Sequence, residues 1–211
     1  IWIGGAAGEA RPVLTGASEG MHMSRVSYLV VHDLEVRGTD DNGINCDDGG
    51  DVDDETATHH VVFRDLYIHD IGSNGNQDGL KLSGVRDFWV LDSAFDRCGG
   101  DGSGSGVDHV GCHDGLVARN TFAENRGTVI QIKGGSTNVE VRWNHIDGDA
   151  ERNVNMGGST GFEYFRPPLF TNTDNYEARG IKVVSNVFVG GWASLAFVGC
   201  FIILCAAQIR D

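Results

Sequence analysis

Gly79-Leu80-Lys81-Leu82-Ser83 and Gly106-Val107-Asp108-His109-Val110 lie 27 residues apart and superimpose without a gap. The same pattern returns at Gly20-Met21-His22-Met23-Ser24, Gly43-Ile44-Asn45-Cys46-Asp47, Val129-Ile130-Gln131-Ile132-Lys133 and Asn153-Val154-Asn155-Met156-Gly157. A weaker copy is Ser194-Leu195-Ala196-Phe197-Val198. Each alternates apolar and polar residues with the period of two that marks a strand. No long stretch of period 3.6 competes, so little helix is expected. Self-similarity every few dozen residues is the signature of a stacked repeat. The copies are spaced 23, 36, 27, 23, 24 and 41 residues apart. Short intervals are bare coils, and long ones are coils carrying loop insertions.

A second recurring segment follows the first, with an Asn or its equivalent at its fourth position. Val117-Ala118-Arg119-Asn120-Thr121-Phe122, Val141-Arg142-Trp143-Asn144-His145-Ile146 and Val183-Val184-Ser185-Asn186-Val187-Phe188 show it most plainly. It too is read as a strand. Such coils stack as a parallel solenoid, with equivalent strands about 4.8 Å apart. Asn120, Asn144 and Asn186 then form a column at one bend, where side-chain amides satisfy turn backbone groups. This spacing and Asn column resemble the right-handed parallel β-helix of polysaccharide lyases and related carbohydrate-active proteins, of the chondroitinase and alginate lyase type. The expected fold is all-β: one parallel β-helix domain over residues 1–211, of about six to seven coils with loop insertions.

Composition agrees. The chain has 211 residues, 40% hydrophobic, with 31 glycines for tight turns and only 3 prolines. A net charge of −14 argues against nucleic acid and against anionic membrane surfaces. The apolar run Leu195 to Ala207 is too short to span a bilayer. No signal peptide is visible and Ile1-Trp2-Ile3 reads as mid-strand, so a fragment or mature form is expected. Phe201-Ile202-Ile203-Leu204-Cys205 breaks the repeat, and residues 201–211 are expected to be an irregular, truncated end. The five cysteines (Cys46, Cys98, Cys112, Cys200, Cys205) show no CxxC spacing and leave the redox compartment open. The resemblance implies an extracellular or periplasmic location.

Stacking turns the repeats into columns. Outward positions of the first strands read His22, Asn45, Lys81, Asp108, Gln131, Asn155, Ala196; beside them run Ser24, Asp47, Ser83, Val110, Lys133, Gly157, Val198. Insertions at Asp47 to Thr58, Cys98 to Ser105 and Gly157 to Arg179 are expected to rise as walls, making a cleft for an extended ligand. A merely solvated polar face is the competing expectation. His109, inward like Leu82 and Ile132, reads as a core histidine. His113 and His59-His60 lack convergent zinc spacing, and the Gly-Gly-Ser turns open no helix, so no nucleotide cradle is expected.

Lys81 and Asp108 fall one coil apart, and such a pair keeps the ammonium charged, making Lys81 a poor base. Lys133 has only Val110 and Gly157 beside it in its column. A lysine without a carboxylate partner, near Arg152 or Arg166, suits a general base. The resemblance implies that Lys133 with Arg152 or Arg166 abstracts the proton α to a uronate carboxylate, the cation making that proton acidic. Tyr164 is the acid candidate. Phe162 and Phe165 are candidates for stacking on sugar rings, and His22, Asn45, Gln131 and Asn155 for substrate binding. The acidic stretch after Asp40 suits calcium, with Asp47, Asp48 and Asp51 as ligands, though it lacks the EF-hand spacing.

The leading expectation is therefore a polysaccharide lyase acting by β-elimination on a uronate polymer. A glycoside hydrolase using Asp108 with Asp47 or Asp78, and a non-catalytic carbohydrate-binding or structural β-helix, are the alternatives. Val30, Val62, Trp89 and Leu116 form an outward apolar column that a second copy of the chain could cover.

Overall fold

Three strands, rather than two, make up each coil. Leu80–Ser83 runs into Val85–Leu91 and then Ala94–Asp96, and the next coil begins at Ser105–Val110. The computed structural model describes residues 1–72, 75–100, 103–158, 160–169 and 175–199, with the backbone of the strand Ala206–Ile209. Every strand pairs in parallel with its equivalent in the next coil, giving a first sheet of 7 strands, a second of 8 and a third of 7. The chain is a parallel β-solenoid. Among the described residues the only helical turn is the 3-10 segment Phe162–Tyr164.

The second recurring segment corrects the expectation of a single strand. Its third residue has positive φ in every coil: Asp33 49°, Asp65 53°, Asp92 50°, Arg119 57°, Trp143 57° and Ser185 54°. A residue in the left-handed region ends the second-sheet strand and starts the third-sheet strand. The residue after it turns inward. There Asn120 donates to Asn144 Oδ1 (3.0 Å) and Asn144 to Asn186 Oδ1 (3.0 Å). The backbone N–H groups of Ser93, Asn120 and Asn144 donate to the same column of oxygens at 3.0, 3.0 and 2.9 Å. The ladder satisfies buried turn groups that would otherwise be left without partners.

Several repeats open on glycine because the next coil leaves no room. A Cβ on Gly43 would lie 2.5 Å from the Gly79 carbonyl oxygen, and one on Gly79 would lie 2.6 Å from that of Gly106. The interior is a continuous stack of Ile44, Cys46, Leu80, Leu82, Val107, Ile130, Ile132, Val154 and Met156 against Phe63, Phe88, Phe95 and Phe122. Cys46, Cys98 and Cys112 are buried free thiols. Cys200, Cys205 and the end segment, apart from the strand Ala206–Ile209, lie outside the described residues. On the outer face of the second sheet Val30, Val62, Trp89, Leu116, Glu140 and Lys182 are in register, with the four apolar residues half-buried.

Candidate functional site

Register alone assembles the floor of the site. His22 pairs with Asn45, Asn45 with Lys81, Lys81 with Asp108, Asp108 with Gln131, Gln131 with Asn155 and Asn155 with Ala196. Residues far apart in sequence thus share one outer wall. Over it lies a cleft of about 790 Å³ lined by His22, Asn45, Asp47, Lys81, Lys133 and Tyr164, among others.

The centre of the floor is a four-member charge cluster. Lys81 Nζ contacts Asp108 Oδ2 and lies 3.1 Å from Asp78 Oδ2, while Lys133 Nζ lies 3.3 Å from Asp108 Oδ2. The carboxylates are beneath: Asp78 and Asp108 are 1% exposed, against 18% and 14% for the lysine side chains. What faces the cleft is therefore ammonium, in a protein of net charge −14.

Burial pushes Asp78 up to about 6, aided by the like charge of Asp108 and opposed by Lys81. Burial acts on Asp108 in the same sense, but Lys81 and Lys133 outweigh it and hold that carboxyl below the usual range. For Lys81, burial disfavours the charge, yet Asp108 and Asp78 prevail and push its pKa up. The pairing of Lys81 with Asp108 stands as expected, and Lys81 is a fixed cation. Asp78, expected only as a partner of Asp108 in the hydrolase alternative, is a second partner of Lys81. It sits three residues before Lys81, at the turn into the strand, where its Oδ1 accepts from Ser105 N (2.7 Å).

Several placements depart from expectation. Lys133 does have a carboxylate partner, because its long side chain reaches diagonally to Asp108 instead of staying beside Val110 and Gly157. Arg152 pairs in register with Thr128, at the other end of the strand from Lys133, and its guanidinium meets Glu151 at 3.1 Å. Five residues of strand put it roughly 16 Å away, outside the cluster. Phe165 is 1% exposed and cannot stack on a sugar, whereas Phe162 (54%) and Tyr164 (56%) can. Gln131 and Asn155 are buried: Asn155 Nδ2 donates to Gln131 Oε1 (2.9 Å), and Gln131 Nε2 to Gly157 O (3.1 Å). Their amides brace the floor instead of addressing the cleft.

No family model matches the chain, and no curated protein matches it. Among solved structures, an alginate lyase from Paenibacillus sp. strain FPU-7 superposes with a TM-score of 0.48 at 14% identity, covering 100% of this chain and 84% of that one.

His22 and Asn45 do line the cleft, both turned toward Asp47 (2.8 Å and 3.4 Å to Oδ2). His22 Nδ1 also meets Glu19 at 3.0 Å. Hydrogen bonds from Ser24, Gly49 and His22 hold Asp47 below the usual carboxylate range against the effect of its burial. The proposed calcium donors each have other partners. Asp47 accepts from Gly49 N and meets His22; both oxygens of Asp48 meet Arg166; Asp51 meets Arg25 at 3.0 Å. Among the described residues no group of three or more His, Cys, Asp or Glu could hold a metal ion. So arranged, Asp47, Asp48 and Asp51 are each engaged by protein partners.

Proposed function

We propose that the cleft binds an anionic, uronate-bearing polysaccharide and cleaves it by β-elimination. The observation that carries this reading is the display of the Lys81 and Lys133 ammonium groups above two buried carboxylates. A cation fixed at the floor pairs with the uronate carboxylate and delocalises negative charge as it develops, which makes the α proton removable. Lys81, clamped between Asp78 and Asp108, takes that part. Lys133 also has a carboxylate partner but is the more loosely held of the two, 3.3 Å from Asp108. It takes the α proton after giving one of its own to solvent; the electron pair left on carbon becomes the new double bond, and the C–O bond to the leaving sugar breaks. Tyr164, which lines the same cleft as Lys133, donates its phenolic proton to the departing oxygen. Phe162 adds an exposed ring in the same 3-10 segment.

The hydrolase alternative is disfavoured by burial. Asp78 and Asp108 lie under the lysines and do not flank an open position where water and a glycosidic oxygen would meet. Incubation with uronate-containing and neutral polysaccharides, with and without calcium, tests the assignment. Ultraviolet absorbance of unsaturated uronate ends is expected with an anionic polymer only. New reducing ends without that absorbance would point to hydrolysis, and retention without turnover to a binding module. Lys133→Ala, still folded, should lower kcat about a hundredfold to ten-thousandfold; unchanged turnover would remove Lys133 from the base position.

A further inference from the structure

Arg166 lies in a trough across the corner between the first and second sheets, and that trough exists because the turn positions of successive coils are glycine. A Cβ on Gly84 would fall 2.2 Å from Asp48 Oδ2 and 2.8 Å from Arg166 Nε. One on Gly111 would fall 2.5 Å from Arg166 Cβ and Cδ, and one on Gly135 2.4 Å from the Arg166 carbonyl oxygen. These glycines have φ of 66°, 61° and 91°, so the same residue type supplies both the turn and the space.

In that trough Arg166 gathers three parts of the cleft. Its Nε and Nη2 donate to Asp48 Oδ2 and Oδ1 at 2.5 and 2.9 Å, across 118 residues of sequence. Its Nη1 donates to the Tyr164 carbonyl oxygen at 2.7 Å. Its backbone N–H donates to Gly134 O at 3.0 Å, the residue directly after Lys133. Glu177 adds a second pin, its Oε2 accepting from Gly134 N (2.8 Å) and Thr160 Oγ1 (2.9 Å). The Arg166 and Asp48 side chains are 8% and 1% exposed, so substrate has little access to this charge. A buried ion pair is a poor source of net stability, since an apolar pair of like volume often serves as well. What a two-pronged guanidinium–carboxylate contact does supply is fixed geometry.

We propose that Asp48 and Arg166 are positioning residues that hold Tyr164 at a set distance from Lys133, so that proton removal and proton donation act on one bound sugar. This rests on the β-elimination reading of the cleft. The acidic loop thus has its own cation built in, an arginine delivered from the opposite wall.

The test compares Asp48→Asn, Arg166→Gln and the double variant Asp48→Leu/Arg166→Met in the full chain. The single variants should lose thermal stability, because each leaves a buried partner alone. The apolar double variant should recover Tm to near wild type while kcat stays about a hundredfold down with KM within about twofold, as for misplaced reacting groups. A double variant with both Tm and kcat of the wild type overturns the proposal, as does a loss wholly in KM. Hydrogen–deuterium exchange over residues 160–169 supplies a readout independent of turnover. Faster exchange there in the double variant, with the first sheet unchanged, supports the positioning role, and unchanged exchange overturns it. If the wild type makes no unsaturated product, the β-elimination reading falls separately, and exchange alone decides whether the pair holds the loop.

Discussion

His109 shows how the interior of the stack treats a titratable side chain. Its Nδ1 lies 2.7 Å from the Gln131 carbonyl oxygen, its ring tilts against Phe88 with centroids 5.2 Å apart, and burial pushes its pKa down to about 4. The unfolded chain binds this proton below about pH 6.5, whereas the native state resists it until about 4. The stability this provides is complete above pH 6.5 and is lost as pH falls toward 4, by about 3 kcal/mol. Asp78, pushed up to about 6, acts in the opposite sense over part of that window: the native state holds its proton more tightly and gains stability on acidification. The clean comparison is wild type against His109→Leu. The variant should lose the histidine's share of the acid-side fall in Tm between pH 6.5 and 4; parallel Tm profiles would contradict it. At this scale the sequence was informative about direction. Alternation placed His109 inward and Lys81 outward correctly. It could not foresee that Lys133 reaches Asp108, because long side chains meet diagonal neighbours as well as register partners. Nor could it join Asp48 to Arg166, a contact between two insertions whose paths no repeat pattern encodes.

Among the elements, the bend carrying the Asn ladder is the most exacting. Asn144 is 1% exposed; its Oδ1 accepts from the backbone and side chain of Asn120, and its Nδ2 donates to Val117 O at 2.9 Å and to Asn186 Oδ1. Asn144→Ala strands an N–H and a carbonyl in a dry interior. The expected loss is about 2–6 kcal/mol, at about 1–3 kcal/mol for each of the two unsatisfied groups, read by urea denaturation with an unchanged m-value. A loss under about 0.5 kcal/mol would mean that water replaces the amide. The ladder was legible in advance because its residues are of one type at one phase of the repeat. The strand break beside it was not. Its left-handed positions hold Asp in three coils, a residue that tolerates this region, but Arg, Trp and Ser in the others, so no one residue type repeats there to mark the break.

For the molecule as a whole, the acidic surface and the cationic floor act at different ranges. An anionic polymer far from the protein meets net charge −14, and only at close approach does it meet Lys81 and Lys133. Raising salt from about 10 to about 100 mM shortens screening from roughly 30 to 10 Å. That weakens the distant repulsion more than the close attraction. The expected result is a rise in kcat/KM toward the anionic polymer over that range; a steady fall would mean that the floor cations dominate the approach. Lys81, Asp108 and Lys133 stand on three adjacent coils, with two first-sheet strands before them (Met21–Ser24, Ile44–Asp47) and two after (Arg152–Met156, Ala193–Phe197). Each of the three strands that carry them is paired on both sides. A local opening on one side thus leaves the floor lysines anchored from the other.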